Sequence, residues 1–189
     1  KVFGVNAWAP RISQILIGSL SPLCLYAIGT RLFSRRVGWL AGLALCFYGP
    51  LILEEITLSK TSPLVFTTLV AFAAYLYYGP GTRLSGMVLA GFFFGVSVVG
   101  VAQWLFGFVF LGAYAAWLPR HASPGRRALN AATFIGAGLL TILPVVWWNT
   151  AHGGGLVLTS GGAGLNLYSG NNARASALPA SPRGLRDIP

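Results

Sequence analysis

Apolar residues in this chain come in long runs, and the polar residues are confined to short joints between them. A helix that crosses a hydrocarbon core of about 30 Å needs about 20 mostly apolar residues, with roughly 17 as a lower limit. Runs of that kind cover residues 12–30 (span A), 37–53 (span B), 61–78 (span C) and 128–148 (span F). Residues 86–118 form a single apolar stretch of 33 residues. As one helix it would be about 50 Å long at about 1.5 Å per residue, well beyond the bilayer core. Two short helices, D over 86–102 and E over 104–118, fit better, with Gln103 at the break. The joints carry charge or helix breakers: residues 31–36, 54–60, 79–83 and 119–127.

This pattern predicts an all-α fold, a polytopic transmembrane helical bundle of about six spans, two of them short, followed by an irregular outer-face tail. Residues 1–148 are the transmembrane helical region. Residues 149–189 are a Gly/Asn-rich outer-face loop and the start of a following segment. Composition sharpens the picture. Of 189 residues, 55% are hydrophobic and only 8% are charged, against about 25% charged in an ordinary soluble domain. That excludes a soluble enzyme, a disulfide scaffold, a coiled coil and a disordered tail. The chain begins at Lys1 without a Met, its one Met is Met87, and it closes on a loop-like run, so it reads as an internal piece of a longer protein.

Thirteen Lys and Arg against three Asp and Glu give a formal charge of +10. In a soluble domain that excess would suggest nucleic acid. Here the basic residues are scattered between apolar segments with no basic stripe or aromatic platform, so nucleic acid is not a partner and membrane lipids are. Thinly spread cations of this kind mark the cytoplasmic loops of a multispan protein. With the Arg31/Arg35/Arg36 loop inside, six spans also place Arg83, Arg120, Arg126 and Arg127 inside, in loops without an acid. One span over 86–118 would put the last three outside, so charge parity also favours the split. The same topology exports Glu54, Glu55, Lys60 and everything after Asn149, including Asp187. Tyr77, Tyr78, Trp117, Trp147 and Trp148 fall at segment ends, where interfacial aromatics sit. Gly91 with Gly95 and Gly38 with Gly42 are small-xxx-small pairs suited to close helix packing.

Candidate chemistry is therefore sparse and collects on one face. Glu54 and Glu55 beside Lys60 suit acid–base work, a metal or a phosphate, or are simply solvated. Neighbouring glutamates on a helix point about 100° apart, so at most one faces a common site. The tail holds Asn149, His152, Asn166, Tyr168, Asn171, Asn172 and Arg174 among many glycines. Glycine-rich backbone and Asn amides suit a sugar or phosphate. The P-loop ending Gly-Lys-Ser/Thr is absent, and His152 reads as a loop residue. Cys24 and Cys46 sit inside apolar segments as small hydrophobes. No Cys/His metal cluster or complete carboxylate ligand set is visible. No cofactor is assigned and no metal site is named, which leaves a divalent metal open.

Three stretches carry a resemblance: Arg11-Ile12-Ser13-Gln14-Ile15-Leu16-Ile17-Gly18-Ser19-Leu20 with Tyr26 to Gly38, Leu89-Ala90-Gly91-Phe92-Phe93-Phe94-Gly95-Val96-Ser97, and the tail Asn166-Leu167-Tyr168-Ser169-Gly170-Asn171-Asn172-Ala173-Arg174. Together they resemble the membrane half of bacterial dolichyl-phosphate-mannose-type glycosyltransferases of the GT-C fold. The tail is the most specific part, and the Arg-Leu-Phe-Ser-Arg-Arg loop is moderately so. The resemblance covers nearly all of the chain.

The resemblance implies an integral membrane enzyme of the bacterial inner membrane whose active site faces outside. It implies transfer of a sugar from a polyprenyl-phosphate donor to a glycan, lipid or protein acceptor. The family's base is usually an Asp in the first outer loop, which would precede Lys1, so the catalytic residue is unassigned, with Glu54 and Glu55 as weak candidates. Many members carry an acid near the start of the span matching C, where this chain has Ser62. On this resemblance Lys60, Gln103 and Arg174 hold the donor phosphate, and Asn149, Asn166, Tyr168, Asn171 and Asn172 bind sugar or acceptor. The alternatives are a transporter or lipid flippase, which would show repeats or intramembrane charges, and a non-catalytic membrane subunit. Orientation is testable: a cysteine at position 171 should label from outside and one at position 126 only from inside. The reverse pattern would overturn the topology.

Overall fold

The computed structural model describes residues 8–57, 59–79, 83–117 and 123–153. All regular structure among them is helical: α1 (Trp8–Gly18), α2 (Ser21–Leu32), α3 (Arg35–Cys46), α4 (Gly49–Ile56), α5 (Thr61–Tyr78), α6 (Leu84–Gly100), α7 (Trp104–Trp117) and α8 (Pro124–Gly153). Span C has the expected bounds. The stretch 86–118 is split as expected, with α6 ending at Gly100 and α7 starting at Trp104.

Three expectations are corrected. Span A is broken at Ser19–Leu20, and span B is broken at Phe47–Tyr48 with a 47° bend. Both breaks have one cause. Pro22 has no N–H for the carbonyl of Gly18, and Pro50 has none for that of Cys46, so neither helix continues unbroken into its proline. Glu54 and Glu55 are consequently not in a loop but in the last turn of α4. Span F is longer at both ends. α8 has 30 residues, accommodates Pro144, and carries Asn149 and His152 in its final turns.

The helices run alternately up and down. Gly38 of α3 lies against Tyr26 and Thr30, while Gly42 lies against Pro22, so α2 and α3 are antiparallel. α6 and α8 are parallel, because Gly91 meets Phe134 and Gly95 meets Gly138 and Thr141. α7 runs against α8, with Phe108 over Gly138 and Gly112 over Ile135. Tyr77 Oη donates to the Ala27 carbonyl at 3.1 Å, and Lys60 Nζ donates to the Gly100 carbonyl at 3.2 Å, which fixes opposite ends of α5. Taking α1–α2 and α3–α4 as broken pairs, the described residues make six passes along the bundle. Trp8–Leu32, Thr61–Tyr78 and Pro124–His152 are long and apolar enough to cross a bilayer, the bent pair is a fourth, and α6 and α7 are shorter apolar helices.

The buried positions explain the packing. α6 buries Met87, Ala90, Gly91, Phe94, Ser97 and Val98 along one face, the three-and-four spacing of a helix seam. α8 answers with Asn130, Phe134, Ala137 and Ile142. Phe108 and Phe134 stack at 5.2 Å, with Phe94 closing the cluster. α5 joins through Tyr75, edge-on to Phe134 at 5.7 Å. The other faces are apolar and exposed, as in Phe106 at 84% and Leu140 at 74%, which is what lipid contact requires. Glycine at the seam is steric: a Cβ at Gly91 would strike the Phe134 carbonyl. Gly91→Ala should therefore lower stability by about 1–3 kcal/mol, read as an earlier thermal transition in detergent. Gly136→Ala, with nothing within 4 Å, should leave it unchanged or raise it.

Candidate functional site

The alternating topology sorts the charges by end. Arg31, Arg35, Arg36, Arg83, Arg126 and Arg127 lie at the end where α2, α5 and α7 finish, and no acid joins them among the described residues. Glu54, Glu55 and Lys60 lie at the other end, together with the α6–α7 break and the last turn of α8. Two cavities open at this second end, on either side of the first turns of α5.

The larger cavity, about 340 Å³, is lined by Lys60, Thr61, Leu64, Val65, Thr68, Leu69, Val101 and Trp104. The α5 members repeat at three and four residues and so form one helical face, about 12 Å deep at about 1.5 Å per residue. Trp104 forms the wall and is held edge-on to Phe94 at 5.5 Å and Phe72 at 6.3 Å. Thr68 is anchored by its hydroxyl to Ser97 Oγ at 2.9 Å. The cavity is an apolar slot with one cation at its mouth. Lys60 sits there because the last carbonyls of α6 have no intrahelical donor and attract a cation. One of its three N–H groups goes to Gly100, which leaves capacity for a ligand. Gln103 is exposed between Val101 and Trp104, but only these two neighbours line the slot.

The smaller cavity, about 210 Å³, is lined by Gly18, Ser19, Pro22, Leu45, Cys46, Leu51, Ile52 and Glu55. Both proline breaks open onto it. Glu55 Oε1 accepts a hydrogen bond from Ser62 Oγ at 3.3 Å, and Ser62 is itself fully buried. A Cβ at Gly18 would collide with both groups, so the pair fits only because α1 ends on a glycine. Ser21, next to the lining residue Pro22, is fully buried with no hydrogen-bond partner for its hydroxyl. Glu54 points the other way, toward the hydroxyls of Ser59 and Thr61. The expected divergence of the two glutamates is therefore present, and Glu55 is the inward one.

One structurally important side chain belongs to no motif that would assign it a role from sequence. Gln14, only 5% exposed, donates from Nε2 to the carbonyls of Glu54 at 2.8 Å and Thr57 at 3.2 Å. It satisfies the end of α4 and ties it to α1. A polar residue inside an apolar span was the available signal. The structure places Asn149 half-buried near the end of α8, and His152 stacked on Trp148 with Nδ1 2.9 Å from the Trp148 carbonyl. Asn166, Tyr168, Asn171, Asn172 and Arg174 lie outside the described residues. No group of three metal-ligating side chains is present among the described residues.

The family described as dolichyl-phosphate-mannose-protein mannosyltransferase matches residues 1–148. No curated protein and no solved structure matches the chain. Gln14→Leu should strand the Thr57 carbonyl and leave that of Glu54 with only the Thr57 hydroxyl at 3.3 Å, at a cost of about 1–3 kcal/mol. Thermal unfolding in detergent checks this, and an unchanged transition would remove Gln14 as the anchor of α4.

Proposed function

Because this chain belongs to the dolichyl-phosphate-mannose-protein mannosyltransferase family, a class of membrane glycosyltransferases, we propose that it moves a sugar from a polyprenyl-phosphate donor to a glycan, lipid or protein acceptor at the outer membrane face. The observation that carries the donor assignment is the slot beneath Lys60. A polyprenyl-phosphate sugar is a long apolar tail with an anionic head. The slot has that polarity: an apolar α5 face and Trp104 along its depth, and one ammonium at its mouth. In this reading the tail lies against Leu64, Val65 and Leu69, and the phosphate meets Lys60.

Transfer attaches the acceptor hydroxyl to the anomeric carbon and breaks the bond to the phosphate oxygen. The departing phosphate gains negative charge, and a cation held at that oxygen lowers the barrier. Lys60 is suited to this role, with Gln103 and Arg174 as further donors toward the phosphate. Deprotonation of the acceptor needs a base, and Glu55 is the better placed of the two glutamates. Asn149, with Asn166, Tyr168, Asn171 and Asn172 of the tail, supplies neutral hydrogen-bonding groups for sugar or acceptor.

A charge-assisted hydrogen bond contributes about 1.5–3 kcal/mol. Lys60→Met in the full-length enzyme should therefore cut kcat/KM about ten- to hundredfold, measured with labelled sugar on purified polyprenyl phosphate. Lys60→Arg keeps the charge and should retain more activity. Unchanged turnover in Lys60→Met would take Lys60 out of the reaction. Donor movement across vesicles without sugar transfer would favour the flippase reading.

A further inference from the structure

We propose that the smaller cavity, between the two proline-broken helix pairs, is a binding subsite for one sugar ring, held through the carboxylate of Glu55. This deepens the transferase reading above and rests on it for the class of ligand. The argument starts from hydrogen-bonding capacity. A carboxylate accepts at about four positions, and the recorded donor to Glu55 is Ser62. Among the described residues no basic side chain pairs with it. Pro22 and Pro50 withhold N–H groups from the carbonyls of Gly18 and Cys46, and both of those residues line the same cavity.

Apart from the weakly donating Cys46 thiol, the lining donors are already committed. The backbone N–H of Ser19 goes to the Ile15 carbonyl and its hydroxyl to that of Leu16. The N–H groups of Leu51 and Ile52 both go to the Tyr48 carbonyl. Pro22 has none to offer. The cavity is thus rich in acceptors and poor in donors, so its ligand must bring donors. A ring of hydroxyls does so without burying a second charge, which would cost far more.

Size points the same way. About 210 Å³ equals the liquid volume of about seven waters, which suits one ring and is too much for a lone ammonium group. The position suits a transfer reaction as well. Lys60 lines one cavity and Glu55 the other, with Thr61 and Ser62 between them. A sugar hydroxyl at Glu55 would sit across the first turn of α5 from the phosphate at Lys60. The Glu55 side chain is kept in place by Ser62 and by the missing Cβ at Gly18.

Cys46 provides the readout, because it is exposed and lines this cavity, while half-buried Cys24 does not line it and serves as the internal control. The full-length protein in nanodiscs is alkylated with N-ethylmaleimide, with or without methyl mannoside or methyl glucoside, and each cysteine is followed by mass spectrometry. A methyl glycoside should slow alkylation of Cys46 by about fivefold once its concentration exceeds its Kd several times over, since only the empty site reacts. Cys24 should not respond. Glu55→Gln should lose the protection, and so should Leu45→Phe, which narrows the cavity without touching the carboxylate. The proposal is overturned if no glycoside protects, if protection persists in Glu55→Gln, or if ethanolamine protects in place of the sugars. Transfer of labelled sugar by the wild-type enzyme separates the two claims. Transfer without protection removes the subsite alone, and protection without transfer removes the transferase reading alone.

Discussion

A helix inside a bilayer has no water to complete its backbone hydrogen bonds, so each must close within the chain or open onto a protein-lined cavity. Pro22 and Pro50 impose that condition twice at one level of this bundle. Each deprives a carbonyl four residues earlier of its donor, at Gly18 and at Cys46, and both carbonyls belong to residues of the same cavity. The 47° bend that follows the second break turns α4 toward α1 and α5. That turn directs Glu55 at Ser62 and leaves Glu54 outside. The bend is then locked by Gln14, which closes the terminal carbonyls of α4 from the neighbouring helix.

The rest of the bundle is closely packed. α6 and α8 approach along Gly91, Gly95 and Gly138, and the phenylalanines of α6, α7 and α8 fill the space beside them. Helix association in lipid depends on such close contact, since lipid tails are as apolar as the side chains. The seam fixes where α6 ends and α7 begins, and therefore where Trp104 and the Gly100 carbonyl stand. Irregular backbone occurs around a closely packed block, an arrangement that can support a binding site.

Much of this was readable in the residues. The bounds of α5 and the α6–α7 break follow from apolar run length, and the separation of charge between the two ends follows from loop parity. Mean apolarity over a whole run hides the breaks in spans A and B, although Pro22 and Pro50 carry the local signal for them. Contacts across 40 residues, such as Gln14 with Glu54 and Lys60 with Gly100, have no local signature. They depend on which helix faces meet, and that is set by glycine seams elsewhere in the chain. The divergence of Glu54 and Glu55 was predictable from helical geometry, but which of them faces inward required the bend.

Lys60 and Glu55 are five positions apart at one end of the bundle, yet they do not form an ion pair among the described residues. At about 4 Å and an effective dielectric near 20, such a pair would be worth about 4 kcal/mol of Coulomb attraction, and a charged or polar substrate would have to displace it. Here α5 starts between them, and each charge is occupied only by a neutral partner: Gly100 for the lysine and Ser62 for the glutamate. A hydrogen bond from an ion to one neutral group, about 1.5–3 kcal/mol, leaves the ion's remaining capacity open and can be exchanged for a like bond to a ligand. The arrangement keeps a cation and a carboxylate available on opposite sides of one helical turn. A displacement reaction requires that, because its leaving phosphate must be held by positive charge while its attacking hydroxyl is held by negative charge on the far side of the reacting carbon.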